Sequence, residues 1–458
     1  MRLVAIKSLP NTLFSIKLSS MHNERMKGFR PYVLSLDRLL RSLIEEPRGR
    51  EKHRCLTQSL NGQPAAVLRS SVPLPNRRAD GVFFTAANLA RRLLNHLTSE
   101  LPPFGIIADV GCGAGDLLLA CARKLPLGSD LNDTLQIWGH RLMGFDIYPE
   151  FIRATKTRLV LLAISRGATL DNSSVPAVNQ VFPMIRQCDF LSNPEKVTRA
   201  SHVIMNPPYN DLIAPCDCKW ANGKVNAAAL FLDACLSRLP AGTKIAAILP
   251  DVLRSGSNYA RWRHRIESLT CRIEVTTCAQ FDDSTDIHVF ILRLEKASTP
   301  LSDRAVWWRT IKDTNADNVG DHFEVHVGSV VPHRHREEGP SVAYIHAKSL
   351  PPWETAKRIK EHRRFAGLLF EPPFVVVRRT SRPGEKRAIA TIVGGRRKVA
   401  VENHLIALLP NTKTIVQCKQ LLRVLKSTQT DRWLDNRIRC RHLTVQSIKD
   451  LPWWETDL

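Results

Sequence analysis

The sequence has 458 residues, with 66 Lys or Arg and 43 Asp or Glu, which gives a formal net charge of +23. This length predicts two folded units, or one large domain with an appended module. The positive charge favours a polyanionic partner such as nucleic acid, although charge alone fits a merely basic protein equally well. Eleven scattered cysteines exclude a small disulfide scaffold, and no apolar run is long enough for a bilayer span or a signal peptide. We therefore expect a cytoplasmic protein without a membrane segment.

Residues 1–80 are interpreted as a basic N-terminal extension. They contain interrupted helical patterns, as in residues 33–40, and end in the turn-rich run 73–76. The sequence leaves open whether Met1 or Met21 is the first residue of the protein.

Residues 81–298 form the candidate catalytic domain. Short apolar runs alternate there with helical periodicity, which is typical of β-α units on a mostly parallel sheet. The predicted strands are residues 106–109, 142–146, 202–205, 244–249, 273–275 and 288–292. Because the last two runs leave no room for a long helix between them, they predict an antiparallel hairpin that closes the sheet.

A glycine-rich turn follows the first predicted strand. Gly111, Gly113 and Gly115 separate the apolar run 106–110 from the helical run 117–122. Glycine permits left-handed backbone angles and lets the chain approach a ligand closely. The pattern therefore predicts a cofactor loop, although such glycines alone are a weak signal.

Two carboxylates accompany this turn. Asp109 ends the first predicted strand and Asp146 ends the second, and together they suit a ligand with an ammonium group and a ribose diol. S-adenosylmethionine (SAM) is such a ligand. A dinucleotide fits less well, because Asp116 at the helix start would repel its pyrophosphate.

The run Asn206-Pro207-Pro208-Tyr209 follows the strand 202–205 and is the most specific motif. An aromatic amine is a poor nucleophile, and acceptors that hold its hydrogens make its nitrogen more pyramidal. The Asn206 oxygen and a carbonyl of the Pro-Pro step are candidate acceptors, and Tyr209 can stack on a planar base. The motif therefore predicts methylation of an exocyclic amino group.

These motifs, in this order, resemble the SAM-dependent N6-adenine DNA methyltransferases of restriction-modification systems, in which cofactor motifs precede the Asn-Pro-Pro-Tyr loop. The resemblance implies a Rossmann-like α/β domain with a mostly parallel seven-stranded sheet and a closing antiparallel hairpin. It implies that Asp109 and the three glycines hold the methionine part of SAM and that Asp146 holds the ribose. It also implies that Asp189 and Phe190 contact the adenine of SAM.

Two further positions are similar to motifs of that family. Thr85, after Phe84, stands in the extra cofactor motif upstream of the glycine loop, although Ala86 replaces a usual proline. Phe281 resembles the aromatic residue that holds the flipped base opposite Tyr209, and a simple hydrophobic plug is an equally good interpretation. No metal is expected, because Cys216 and Cys218 lack a second pair at zinc-finger spacing.

Residues 299–458 are interpreted as a mixed α+β target-recognition domain that binds double-stranded DNA. Its candidate DNA-binding residues lie in Arg-rich clusters and are Arg378, Arg379, Arg396 and Arg397. A separately encoded restriction endonuclease is a candidate partner. The oligomeric state is not predicted.

Alternative functions remain open. The same loop can serve cytosine N4, a base in RNA or a protein glutamine amide, since each carries a planar conjugated NH2 group. Asn206, where Ser would favour cytosine, favours adenine, and the long basic C-terminal module disfavours a protein substrate. A non-catalytic DNA-binding subunit is the alternative from another functional class.

Overall fold

The computed structural model describes residues 25–46, 49–95, 105–169, 178–282, 285–299, 305–308 and 317–454. The chain divides into two compact units. The first unit comprises Met1–Pro250, Arg261–Thr285 and Val289–Ala305, and the second comprises Asp251–Ala260, Asp286–His288 and Val306–Leu458. Within the described ranges, no helix combines the length and the apolar character needed to cross a membrane.

The helices, in chain order, are α1 (Arg30–Glu45), α2 (Arg50–Ser59), α3 (Gln63–Ser71), α4 (Leu74–Asp80), α5 (Ala87–Leu94), α6 (Asp116–Ala122), α7 (Leu131–Gly139), α8 (Pro149–Ser165), α9 (Val178–Val181), α10 (Ala227–Arg238), α11 (Asp251–Ser255), α12 (Ala260–Glu267), α13 (Val319–His322), α14 (Ile415–Lys426), α15 (Thr428–Arg437) and α16 (Val445–Lys449). Short 3-10 helices lie at Lys27–Phe29, Pro194–Val197 and Ser257–Tyr259.

The strands of the first unit are β1 (Ile107–Asp109), β2 (Leu142–Asp146), β3 (Ile185–Gln187), β4 (His202–Met205), β5 (Asp211–Ile213), β6 (Lys224–Asn226), β7 (Lys244–Pro250), β8 (Thr270–Asp282) and β9 (Thr285–Lys296). Seven of them form one sheet in the order β3-β2-β1-β4-β7-β9-β8. In this order, each neighbouring pair among β3, β2, β1, β4 and β7 is parallel, and β9 is antiparallel to β7. The prediction of a mostly parallel α/β sheet is confirmed, and all six predicted strands are present.

Strand β3 was not predicted from the sequence. Ile185 is buried in it, whereas Arg186 and Gln187 are exposed at this sheet edge. The strand therefore lacks the continuous apolar run that marks a central parallel strand.

The residues interpreted as an N-terminal extension differ from that interpretation, because their described part packs into the first unit. Helix α1 buries one apolar face that includes Leu36, Leu40 and Leu43 at helical spacing, and α1 packs against α8. The buried Phe29 ring lies 5.7 Å from Phe84 and 5.1 Å from Phe151. These helices therefore share the hydrophobic core of the sheet domain.

The second unit contains both strands and helices. Its strands are β10 (Phe323–Val327), β11 (Ser341–Ile345), β12 (Thr355–Ala356), β13 (His362–Arg364), β14 (Phe374–Arg378), β15 (Ala390–Val393), β16 (Val399–Val401) and β17 (Leu405–Pro410). They form a five-stranded sheet, β10-β17-β14-β15-β12, and a three-stranded sheet, β13-β11-β16. Helices α14 and α15 contribute Leu421 and Trp433 to the hydrophobic core beneath the larger sheet.

One short segment joins this unit from earlier in the chain. The buried Asp251 carboxylate in α11 pairs with Arg254 at 2.6 Å and accepts a hydrogen bond from the Arg439 backbone N–H at 2.9 Å. Arg254 donates in turn to the carbonyl of Asn436 at 3.0 Å. Residues 251–260 therefore fold with the second unit, although the predicted boundary placed them in the catalytic domain.

Candidate functional site

A pocket lies where the central parallel strands of the first unit end. Gly111 and Gly113 line it from the loop after β1, and Asp146 lines it from the end of β2. Asn206 and Pro208 line it from the loop after β4. Because β1 lies between β2 and β4, three neighbouring strand ends converge on this pocket. The structure thus brings the predicted cofactor loop and the Asn-Pro-Pro-Tyr loop together.

The three glycines of the loop differ in backbone angle and in what an added Cβ would meet. Gly113 and Gly115 have φ of +51° and +86°, which side-chain-bearing residues rarely adopt. A Cβ on Gly113 would lie 2.8 Å from the Phe84 ring, and one on Gly115 would lie 2.7 Å from the Thr155 side chain. A Cβ on Gly111 would meet no atom nearer than 3.9 Å and would project beside the pocket. The fold itself therefore leaves room for a small side chain at Gly111, in contrast to the other two glycines.

The glycine loop is held by Arg158, a residue that the sequence analysis did not select. Its fully buried guanidinium donates to the carbonyl of Ser59 at 2.8 Å and to the carbonyl of Ala114. It also pairs with the Asp116 carboxylate at 2.8 Å. Arg158 therefore neutralises the Asp116 charge. Asp116 would repel a pyrophosphate less strongly than the sequence alone indicates.

The two predicted carboxylates occupy different environments. Asp146 lines the pocket and accepts the Gly113 N–H at 2.9 Å and the Tyr148 N–H at 3.0 Å. Burial raises the pKa of Asp146 to about 6 against these stabilising hydrogen bonds. Asp109 is only 1 % exposed, and burial raises its pKa to about 8. Asp146 is thus placed to contact a ligand, whereas Asp109 lies beneath the loop.

The Asn206 side chain has a defined orientation. Its Nδ2 donates to the carbonyl of Phe83 at 3.2 Å and to Thr85 Oγ1 at 2.9 Å. Its Oδ1 accepts from the Tyr209 hydroxyl at 2.7 Å. A backbone carbonyl can only accept, so Phe83 fixes which end of the amide carries the oxygen. Thr85, which the resemblance assigns to the cofactor site, is buried and accepts this hydrogen bond from Asn206.

The Asn-Pro-Pro-Tyr loop is also tied to its neighbours. Asn226 Nδ2 donates to the carbonyl of Tyr209 at 2.7 Å, while Asn226 Oδ1 caps α10 by accepting the Ala228 N–H. Asn210 Nδ2 donates to the carbonyl of Ala79 at 3.1 Å. The loop is therefore preorganised by the starts and ends of nearby helices.

The remaining predicted residues of the first unit are divided between the pocket and its surroundings. Phe190 is buried and lines the pocket, with its ring 5.7 Å from Phe231. Asp189 is exposed, and its carboxylate accepts from the Leu191 N–H and the Ser192 hydroxyl in a local turn. Phe281 is buried, with its ring 6.0 Å from the Tyr209 ring at an angle of 80°.

The predicted DNA-binding arginines of the second unit fall into two classes. Arg378 and Arg379 are partly buried and donate to the backbone carbonyls of Leu350 and Leu443. Arg396 and Arg397 are exposed in the connection between β15 and β16. Across the described ranges of both units, no cluster of His, Cys, Asp and Glu is arranged to hold a metal ion.

Comparison with known proteins finds similarity to solved structures but not to known sequences. No protein family and no curated protein sequence matches the chain. The type IIL restriction-modification enzyme MmeI, solved in complex with DNA, is 10 % identical with a TM-score of 0.53, and the match covers 84 % of this chain and 70 % of that one. The type IIG restriction endonuclease BpuSI is 15 % identical with a TM-score of 0.42 over 86 % of this chain.

This chain spans 61 % of the length of BpuSI. The M protein of the type I restriction enzyme EcoKI is 16 % identical with a TM-score of 0.37, and the match covers 63 % of this chain and 69 % of that protein. The structural neighbours are thus restriction-modification enzymes and modification subunits. The chain has the fold of the restriction-modification enzyme MmeI.

Proposed function

We propose that this chain is a DNA methyltransferase that transfers a methyl group from SAM to the N6 amino group of a flipped-out adenine. One observation carries the proposal: a single pocket is lined both by the glycine loop with Asp146 and by Asn206 and Pro208. A ligand bound at the first set of residues lies next to the acceptors of the second. The net charge of +23 supports DNA as the partner.

The residues of the pocket fit SAM. Gly111 and Gly113 leave room for the methionine part, Asp146 retains acceptor capacity for the ribose hydroxyls, and Phe190 offers an apolar wall for the adenine. When bound, SAM supplies an electrophilic methyl group on a positively charged sulfonium. The residues of the chain hold the ligand and orient it toward the Asn-Pro-Pro-Tyr loop.

The Asn-Pro-Pro-Tyr loop serves the acceptor amine. Asn206 Nδ2 is engaged by Phe83 and Thr85, and Oδ1 already accepts the Tyr209 hydroxyl with one lone pair. The second lone pair of Oδ1 is the proposed acceptor for an amine hydrogen. A carbonyl of the Pro-Pro step takes the second hydrogen. In this proposal Tyr209 and Phe281 flank the base. Their rings are in edge contact, with centroids 6.0 Å apart at an angle of 80°, so the two rings must separate to admit the base. The extra proton leaves after transfer, and we assign no general base.

We place this activity in a restriction-modification or related defence system in the cytoplasm, with a separately encoded endonuclease as a candidate partner. The first experiment is transfer of labelled methyl from SAM to unmethylated duplex DNA, with RNA in parallel and nucleoside analysis of the product. N6-methyladenine in DNA supports the proposal. N4-methylcytosine, or label in RNA alone, contradicts the proposed target.

Replacement of Thr85 by Val should lower the rate of methyl transfer about 10- to 100-fold, since an unsatisfied buried polar group costs about 1–3 kcal/mol and the Asn206 amide loses one of its two acceptors. Thr85→Ser keeps the hydroxyl and should retain most of the rate. SAM affinity, measured by calorimetry, should change little in either variant. A loss of affinity at an unchanged rate would assign Thr85 to the cofactor instead.

SAM affinity should fall as the pH is lowered through 6. The pKa of Asp146 is about 6 in the free protein, and the ionised carboxylate is the better acceptor for ribose hydroxyls, so protonation competes with binding. We expect binding about tenfold weaker at pH 5 than at pH 7. In Asp146→Asn the affinity should be lower and nearly independent of pH over this range. A wild-type affinity that is flat from pH 5 to 7 would exclude this contact.

A further inference from the structure

Two basic segments of the second unit leave neighbouring strands at the same end of the larger sheet. Strands β12 and β15 are parallel, with Thr355 paired to Ile392 and Ala356 paired to Val393. Residues 357–360 follow β12, and residues 394–398 follow β15. Because parallel strands end at one edge of a sheet, the two segments emerge side by side.

Backbone contacts hold the second segment against the first. The Gly394 N–H donates to the carbonyl of Ala356 at 2.9 Å. Gly395 has φ of +111°, and a Cβ placed on it would lie 3.4 Å from the Lys357 carbonyl oxygen. The tight turn therefore presents the residues that follow it beside Lys357.

These two segments carry a concentrated positive charge, which we call the basic rim. Its members are all exposed cations: Lys357, Arg358, Lys360, Arg396, Arg397 and Lys398. In the described part of the chain, none of the six has an ion-pair partner. The acid that follows the first segment, Glu361, is engaged by His346 at 3.0 Å. Like charges held together without carboxylates repel one another, and a polyanion relieves that repulsion.

The other arginine cluster of this unit provides a contrast. Arg378 and Arg379 donate hydrogen bonds to backbone carbonyls within the second unit. They are partly buried, so fewer of their donors face solvent. Of the two clusters, the basic rim therefore offers more exposed donors.

We propose that the basic rim is the surface through which the second unit binds the phosphate backbone of duplex DNA, an inference that rests on the proposed function. Arg and Lys side chains that neutralise phosphates release condensed counterions, which makes affinity steeply dependent on salt. Contacts of this kind position the protein without reading bases. The basic rim therefore supplies affinity, and base recognition belongs to other residues.

The test compares two triple variants of the full chain with equal net charge. The rim variant carries Lys357→Gln, Arg396→Gln and Arg397→Gln. The control carries Lys419→Gln, Arg423→Gln and Arg432→Gln, which are exposed on helices α14 and α15 of the same unit. Binding to mixed-sequence duplex DNA is measured by fluorescence anisotropy over a salt series, and thermal unfolding checks that each variant is folded.

We expect the slope of log affinity against log salt to flatten by about 3 in the rim variant, at about 0.9 for each phosphate that is no longer neutralised, and to change by less than about 1 in the control. Equal slopes in the two variants overturn the inference while leaving the proposed function intact. Failure of the wild-type chain to bind DNA overturns both. Binding of RNA but not DNA, with the same flattening in the rim variant, overturns the assignment to DNA.

Discussion

Replacement of Asn206 by Ala is expected to lower the rate of methyl transfer at least about 100-fold while SAM affinity stays within about threefold. The amide oxygen is the proposed acceptor for the attacking amine, and loss of one preorganised group at a reacting centre typically costs this much. Asn206→Asp should be similarly impaired, because a carboxylate cannot donate to the Phe83 carbonyl that fixes the orientation.

A matched control lies four residues further along the same loop. Asn210 donates to the carbonyl of Ala79 at 3.1 Å and is not among the residues that line the pocket. Asn210→Ala removes one tether of the loop but no group at the pocket, so the rate should fall by less than about fivefold. Rates and affinities are measured by single-turnover transfer of labelled methyl and by calorimetry. Equal rates for the Ala variants at both positions would contradict the role assigned to Asn206.

Replacement of Arg158 by Met should produce the largest loss of stability, about 3–5 kcal/mol in the free energy of unfolding. The substitution leaves the Asp116 carboxylate without its cation and removes donors from the carbonyls of Ser59 and Ala114. The measurement is the urea midpoint followed by tryptophan fluorescence. Adding Asp116→Asn to the variant should recover part of the loss, because it removes the uncompensated charge.

The control for this prediction is on the same helix. Arg153 pairs with Asp37, but its side chain is 52 % exposed, so the pair is largely screened by solvent. Arg153→Met should cost less than about 1 kcal/mol. If both variants unfold at the same urea concentration, Arg158 does not hold the glycine loop and the N-terminal helices together.

The central strands could be predicted because each is buried on both faces of the sheet. Such a strand consists mainly of consecutive apolar residues. Residues 202–205 and 244–249 are examples. The glycine loop could be predicted because positive φ at Gly113 and Gly115 requires that residue. The edge strand β3 could not, since only Ile185 faces the core.

Long-range contacts account for most of what the sequence missed. Arg158 meets its partners across 99 and 42 residues, and Thr85 meets Asn206 across 121 residues. Neither pairing leaves a local pattern. One signal was available for Arg158: it directly precedes the apolar run 159–163 of its helix, and a cation buried among apolar residues requires a partner.

The arginine clusters show the same limit in the second unit. The pairs Arg378-Arg379 and Arg396-Arg397 are alike in sequence. The first pair lies at the end of a strand whose preceding residues are buried, and its side chains donate to backbone carbonyls of the unit. The second pair follows a glycine turn and is exposed to solvent. The sequence before each pair therefore carries part of the difference, and the backbone carbonyls that Arg378 and Arg379 reach are known only from the structure.

The hydrogen-bond ladder between β1 and β4 has a consequence for how such an enzyme can change over evolution. Asp109 is paired with Ile204, and Gly111 and Asn206 each lie two residues beyond that pair. The glycine loop and the Asn-Pro-Pro-Tyr loop therefore start from strands that are about 4.8 Å apart, a spacing that backbone hydrogen bonding fixes. In the proposed methyltransferase, substitutions in the second unit can change the DNA contacts while the β1–β4 pairing keeps Gly111 and Asn206 at the same separation.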